Sequence, residues 1–326
     1  MNANAGQLLN EKSFLTAAGT ETYLFFEQRF PMRDLCAFEI FEHESALAQL
    51  EARYLYPLIS AVNAHGHGLL LDALVWRAHP DYIDALGYPA SDIKRLNHLA
   101  ISRTRDAVEV WRERNGRSFE EFPILIAADI GPRGDGYRVD SSPSAQAAFD
   151  YHRVQLANLA DTNTDVVCAW TMTNLNEAIG ITRAAAELEL PIIVSPTVET
   201  DGRLPDGTTL GDFICRVDDA TQALPLYYAV NCAHPTHLLP TLESARQHGE
   251  AWLERLGGFR ANSSKKSHEE LDNSTELDRG EPKKLATALA SMKSTYDLKL
   301  LGGCCGTDVE HIREIALAAT NGGSEC

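Results

Sequence analysis

Eight short apolar runs recur along the chain, and longer amphipathic stretches, with apolar residues returning every three or four positions, lie between them. The runs are FLTAAG (14–19), GLLLDAL (68–74), PILIAADI (123–130), DVVCAW (165–170), PIIVSPT (191–197), LYYAVNC (226–232), GFRAN (258–262) and LKLLGGC (298–304). Segments such as SAQAAFDYHRVQLANLAD and NEAIGITRAAAELEL separate them. An unbroken apolar run of this length predicts a strand buried on both faces, and the 3.6-residue period of the separating segments predicts helix. Eight β-then-α units point to an α/β protein built as a single (β/α)8 TIM barrel, with helices outside a parallel sheet and layers of side chains inside it. A doubly wound open sheet is the competing architecture, weakened because no GxGxxG turn follows the first run. The stretch SSKKSHEELDNSTELDRGEPKK (263–284) has no apolar period and reads as an exposed βα loop after the seventh strand, so 1–326 is expected to form one barrel domain.

Composition narrows the partners. A chain of 326 residues that is 44% hydrophobic can bury a core of that size. A formal net charge of -17, with no run of Lys and Arg, argues against a nucleic-acid partner, whose phosphates require clustered cations. No apolar run is long enough to cross a bilayer, and the opening MNANAGQLLNEKSF lacks the basic and apolar regions of a secretory signal, so a cytoplasmic protein without a membrane partner is expected. Seven cysteines, an odd number, suit thiols or metal ligands in a reducing compartment better than a disulfide framework.

In a (β/α)8 barrel the reactive groups gather at the carboxyl ends of the strands. Cys304 and Cys305 end strand eight and Cys232 ends strand six, two strands away around the ring, so three sulfurs can converge above the mouth. Neighbours on a regular strand face opposite ways, and both members of the pair can share a target only if the backbone leaves β geometry, which Gly302, Gly303 and Gly306 permit. Three thiolates with one open position suit Zn2+, and a thiol substrate bound there would lose its proton near neutral pH. An isolated Cys-Cys pair is more often core filling or a strained vicinal disulfide; the third cysteine at another strand end tips the balance to metal. Cys36, Cys168, Cys215 and Cys326 are read as structural or incidental. His65 and His67 imitate the HxH of hydrolase barrels but precede strand two, at the wrong end. His234 and His237 follow Cys232 closely enough to be alternative ligands or supporting donors. GPRGDG lacks the Lys and Ser/Thr of a phosphate loop.

The segment GGCCGTDVEHIREIA resembles the signature of the homocysteine S-methyltransferase family, zinc-dependent thiol methyltransferases. AAGTET (17–22), DIGPRGDGY (129–137), TVETDGRLPDGT (197–208) and VNCAHP (230–235) are similar to its other motifs, in order, so the resemblance spans nearly the whole chain. It implies an enzyme whose Zn2+ is held by Cys232, Cys304 and Cys305. Its partners would be a small-molecule thiol acceptor, homocysteine going to methionine, and a small S-methylmethionine-like onium methyl donor. Asn231 and Gly303 would shape the site around the ligands, and Thr20 and Glu21 stand in the matched GTE. Two positions depart from the family: Leu15 and Trp170 stand where carboxylates would hold the acceptor's amino group, although Glu177 matches further on. These departures raise two further expectations, methylation or demethylation of a different sulfur compound, and a non-catalytic zinc- or ligand-binding barrel. Trp170 is either packing at the barrel top or an aromatic face for an onium methyl. Self-association is left open.

Overall fold

The computed structural model describes residues 5–139, 142–272 and 274–321. Each apolar run contributes one strand: β1 (Phe14–Thr16), β2 (Gly68–Asp72), β3 (Ile124–Ile130), β4 (Val166–Met172), β5 (Ile192–Pro196), β6 (Tyr228–Asn231), β7 (Leu256–Ala261) and β8 (Leu300–Gly303). They close in chain order into a parallel barrel, and β8 completes the ring by setting Leu300 beside Phe14 and Leu301 beside Leu15. Eight main helices follow the strands in turn: α1 (Tyr56–Asn63), α2 (Asp92–Asn115), α3 (Ala145–Ala160), α4 (Leu175–Glu187), α5 (Leu210–Thr221), α6 (Pro235–His248), α7 (Pro282–Tyr296) and α8 (Val309–Asn321). The parallel sheet is thus buried on both faces, which is why its strands carry so little polar alternation.

Alternate strand residues divide into two cores. Phe14, Leu70, Leu125, Cys168, Ile193 and Leu300 fill the inside, and the helix Ala5–Glu11 sets Ala5 and Leu9 against this layer. Leu15, Leu69, Ile126, Val167, Val194 and Leu301 face the helices. Leu15 therefore points away from the barrel interior, which corrects its assignment to a pocket position. The inward residue at that level is Thr16, against which a Cβ on Gly302 would sit 1.8 Å from Oγ1. The segment after β7 is also less exposed than its polarity suggests: Ser263 and Ser264 are buried, and the short helix His268–Asp272 brings His268 against the barrel mouth. Cys326 lies outside the described residues. Among the described residues no helix is long and apolar enough to cross a membrane.

Candidate metal centre

Cys232 follows β6 directly, and its backbone is left-handed, with φ 56°. For a residue with a Cβ that conformation costs on the order of 1 kcal/mol or more and needs support from its surroundings. The Cys232 N–H donates to the carbonyl of Arg260 (3.0 Å). The preceding side chain ties three strands together: Asn231 Oδ1 accepts from the Thr171 N–H (2.8 Å) on β4 and from Ser195 Oγ (2.8 Å) on β5, while Nδ2 donates to Thr171 Oγ1 (3.3 Å). Thr171 itself is left-handed, φ 63°, within the irregularity of β4.

The other two sulfurs come from a turn, not from a strand. β8 ends at Gly303; the Cys304 N–H then donates to Ala261 O (2.7 Å), and the Cys304 carbonyl accepts from Thr307 N (3.2 Å) and Thr307 Oγ1 (2.7 Å). Ser263 N donates to the Cys305 carbonyl (3.2 Å). Gly306 makes the turn with φ 77°, where a Cβ would lie 1.9 Å from Ser263 Oγ. Departure from β geometry lets Cys304 and Cys305 face one point. The Sγ atoms of Cys232, Cys304 and Cys305 lie within 4.8 Å of one another, and among the described residues no other group of His, Cys, Asp or Glu has this arrangement.

The trio carries its own counter-charge. Hydrogen bonds from Cys304 and Cys305 hold the Cys232 thiol well below its ordinary pKa, and the same contacts push the other two up. His268 donates from Nε2 to Cys232 O (2.8 Å) and from Nδ1 to Glu199 (3.0 Å). Burial opposes charging this ring, but Cys232 and Glu199 outweigh it and raise the imidazole to about 10. These contacts favour the thiolate at Cys232 and the charged ring at His268. Tyr137 covers it, with Oη 3.1 Å from Cys232 Sγ and 3.7 Å from Cys305 Sγ, and its ring centre lies 4.5 Å from that of His268.

Glu177 acts behind this lid. Buried at the start of α4, its carboxylate accepts from the Arg133 N–H (2.7 Å), from His152 Nε2 (2.8 Å) and from Asn174 Nδ2 (3.3 Å), anchoring the loop that carries Tyr137. Trp170 lies inside the barrel, donating from Nε1 to Asp72 Oδ1 (3.1 Å), with the Arg260 guanidinium carbon 5.2 Å from its ring centre. The cation over this ring is thus one the protein supplies. Arg260 also pairs with Asp72 Oδ2 (2.7 Å) and donates to the carbonyls of Gly303 (2.7 Å) and Ala18 (3.3 Å). Thr20 Oγ1 is engaged with Tyr54 Oη (3.0 Å). Burial raises the Glu21 carboxyl above its ordinary pKa, with Arg260 opposing, and among the described residues its carboxylate has no hydrogen-bond partner in another residue.

None of the histidines singled out from sequence joins the sulfur trio, although His234 and His237 line the same cavity as Cys232. His234 accepts from Thr236 N (3.2 Å) as the cap of α6, and burial lowers it to about 4. His237 bonds Lys265 O (3.0 Å), and His67 bonds Ser13 and Ala316 before β2. Sequence reasoning missed Tyr137, His268, Asp72 and Arg260. The available signal lay in Asp72 and Arg260, charges inside runs buried on both faces, which require partners.

Comparison with known proteins agrees with this geometry. The family model described as homocysteine S-methyltransferase matches residues 74–319. The homocysteine S-methyltransferase YbgG of Bacillus subtilis is 28% identical over 249 residues, covering 71% of this chain and 73% of that protein. Homocysteine S-methyltransferase 3 of Arabidopsis thaliana is 23% identical, covering 71% and 70%. The oxidized form of the homocysteine methyltransferase MmuM from Escherichia coli superposes with a TM-score of 0.72 at 21% identity, covering 98% of this chain and 99% of that one, a likeness of fold.

Proposed function

The chain belongs to the homocysteine S-methyltransferase family, and from that membership we propose a zinc-dependent enzyme moving a methyl group from a small S-methylmethionine-like onium donor to a thiol, homocysteine in the family's reaction. The observation carrying this proposal is the convergence of Cys232, Cys304 and Cys305 within 4.8 Å at the ends of β6 and β8. The donor set fits the metal: three soft sulfurs, one of them already favouring the thiolate, with Cys304 and Cys305 still partly exposed toward an incoming ligand. Bound there, zinc would hold the acceptor thiol and lower its pKa.

The protein's own residues prepare the rest. Loading the metal requires Cys304 and Cys305 to release their protons, and the His268 imidazolium balances part of the charge that results. Tyr137 Oη stands against two of the sulfurs, excluding water until an acceptor displaces it. Glu21, whose carboxylate has no hydrogen-bond partner in another described residue, is the carboxylate available to an acceptor's ammonium. In the transfer the acceptor sulfur forms a bond to the methyl carbon as the donor's onium–carbon bond breaks, and the donor leaves neutral. No proton has to pass to or from a side chain in that step.

A second acceptor class is favoured by one observation. Both Asp72 oxygens are engaged, by Trp170 and Arg260, and position 170 offers an indole where the family's carboxylate would stand. An acceptor without an amino group would need only what remains. The test is zinc analysis together with mass spectrometry of the products from homocysteine and from non-amino thiols. About one zinc per chain is expected, and Cys304→Ala should remove metal and activity from a barrel that stays folded. Full zinc occupancy in Cys232→Ser/Cys304→Ser would overturn the ligand assignment.

A further inference from the structure

Arg260 is the basic residue on the inward face of β7, 7% exposed, and its guanidinium reaches across the barrel mouth to β2. Three of its contacts are to the protein: Nε to Gly303 O, and Nη2 to Asp72 and to Ala18 O. Among the described residues Nη1 has no partner, and it is not one of the polar atoms cut off from solvent. A nearly buried guanidinium whose Nη1 lacks a protein partner and keeps contact with solvent is poised for an acceptor. The Asp72 pair balances its charge while Asp72 and the Trp170 ring fix its plane, so the fork is preorganised. Its position is tied to the sulfurs on both sides. The Arg260 carbonyl accepts from the Cys232 N–H, and its Nε holds the carbonyl of Gly303, the residue before Cys304. Arg260 and the sulfur trio thus share the barrel mouth, joined through Gly303 and Cys232.

We propose that Arg260 determines acceptor specificity by binding, through Nη1, a carboxylate that the acceptor carries a few bonds from its sulfur. With Glu21 available for an ammonium, the first of the two acceptor classes above, an α-amino-acid thiol, is preferred, and a desamino thiol acid ranks above a thiol amine. A guanidinium suits this task because its planar fork matches carboxylate geometry. The inference rests on the thiol-methyltransferase proposal above and names the group that selects its substrate.

The test compares three thiols on the zinc-loaded protein with S-methylmethionine: homocysteine, 4-mercaptobutanoate, which lacks the amino group, and 3-mercaptopropylamine, which lacks the carboxylate. Arg260→Gln should lower kcat/KM for the two carboxylate-bearing thiols by about 10–100-fold more than for 3-mercaptopropylamine, with the difference carried mainly by KM. Arg260→Lys, keeping the charge without the fork, should recover part of the loss for the same two thiols. Equal losses on all three thiols, carried by kcat, would mean that Arg260 only supports the Cys304 turn, and would overturn the proposal. A binding readout separates this from the reaction itself. Titration with 2-aminobutyrate, homocysteine without its thiol, followed by tryptophan fluorescence, should weaken in Arg260→Gln by more than propylamine binding does. Arg260-dependent binding without methylation of any thiol would sink the methyltransferase proposal alone; methylation with an undiminished carboxylate preference in Arg260→Gln would sink this one alone.

Discussion

Asn231→Ala removes the acceptor that two buried donors share. In the native barrel Oδ1 takes the Thr171 N–H and Ser195 Oγ, both at 2.8 Å, and all three residues are buried. Deleting it strands both donors where water does not replace the oxygen, at about 1–3 kcal/mol each, so a loss of about 2–6 kcal/mol is expected by denaturant unfolding. That is a large share of the roughly 5–15 kcal/mol that holds a domain folded. The second effect is local: Asn231 immediately precedes Cys232, whose left-handed backbone depends on the same strand ends. Zinc affinity, measured against a chromophoric chelator, should therefore fall about 10–100-fold, the usual effect of removing a supporting contact behind a ligand. Asn231→Asp keeps both acceptor bonds and serves as the control, with a smaller loss of metal affinity. A destabilised Asn231→Ala protein that binds zinc as tightly as the parent would refute the link between this side chain and the geometry of Cys232.

Tyr137→Ala should uncover the sulfurs: in metal-free protein, iodoacetamide should label Cys232 and Cys305 several-fold faster, whereas unchanged labelling would mean that Tyr137 does not shield them. Asp308 offers a pH test remote from the chemistry. Burial alone would raise its pKa, but hydrogen bonds and charge from His311, with Arg279 adding charge, hold it at about 2 against an ordinary 3.8. A depressed carboxylate contributes stability that is present above its unfolded pKa and is lost as pH falls through the folded one. Wild-type protein should lose on the order of 1–2 kcal/mol as pH falls from about 4 to about 2, and Asp308→Asn should flatten that part of the curve; identical curves would exclude the ion pair as its cause.

The positions of all eight strands were legible because burial on both faces leaves a sequence mark independent of tertiary detail. The strand faces were not. β1 is only three residues long and its neighbours are apolar in both directions, so nothing in FLTAAG shows that Leu15 points outward and Thr16 inward. The sulfur trio was legible because two chain-distant cysteine sites fall at strand ends that barrel order brings together. Tyr137 and His268 escaped because each lies in a polar loop, and polarity predicts exposure until the loop folds back on a charged centre. Arg260 escaped for a different reason. Its partners come from β2, from β8 and from the end of β1, and barrel closure is what unites them.

That closure has a consequence for synthesis. The Gly19 N–H donates to the Thr307 carbonyl (3.2 Å), and β8 meets β1 across the same seam that holds Cys304 and Cys305. On a ribosome Cys232 emerges long before the pair it needs, and until the last strand arrives β1 and β7 remain unpaired edges. Completion of the sheet and assembly of the sulfur trio are then one late event. A stalled or clipped chain lacking the β8 segment would offer one thiol where the finished protein offers three, so under the zinc proposal metal retention would report that the ring has closed.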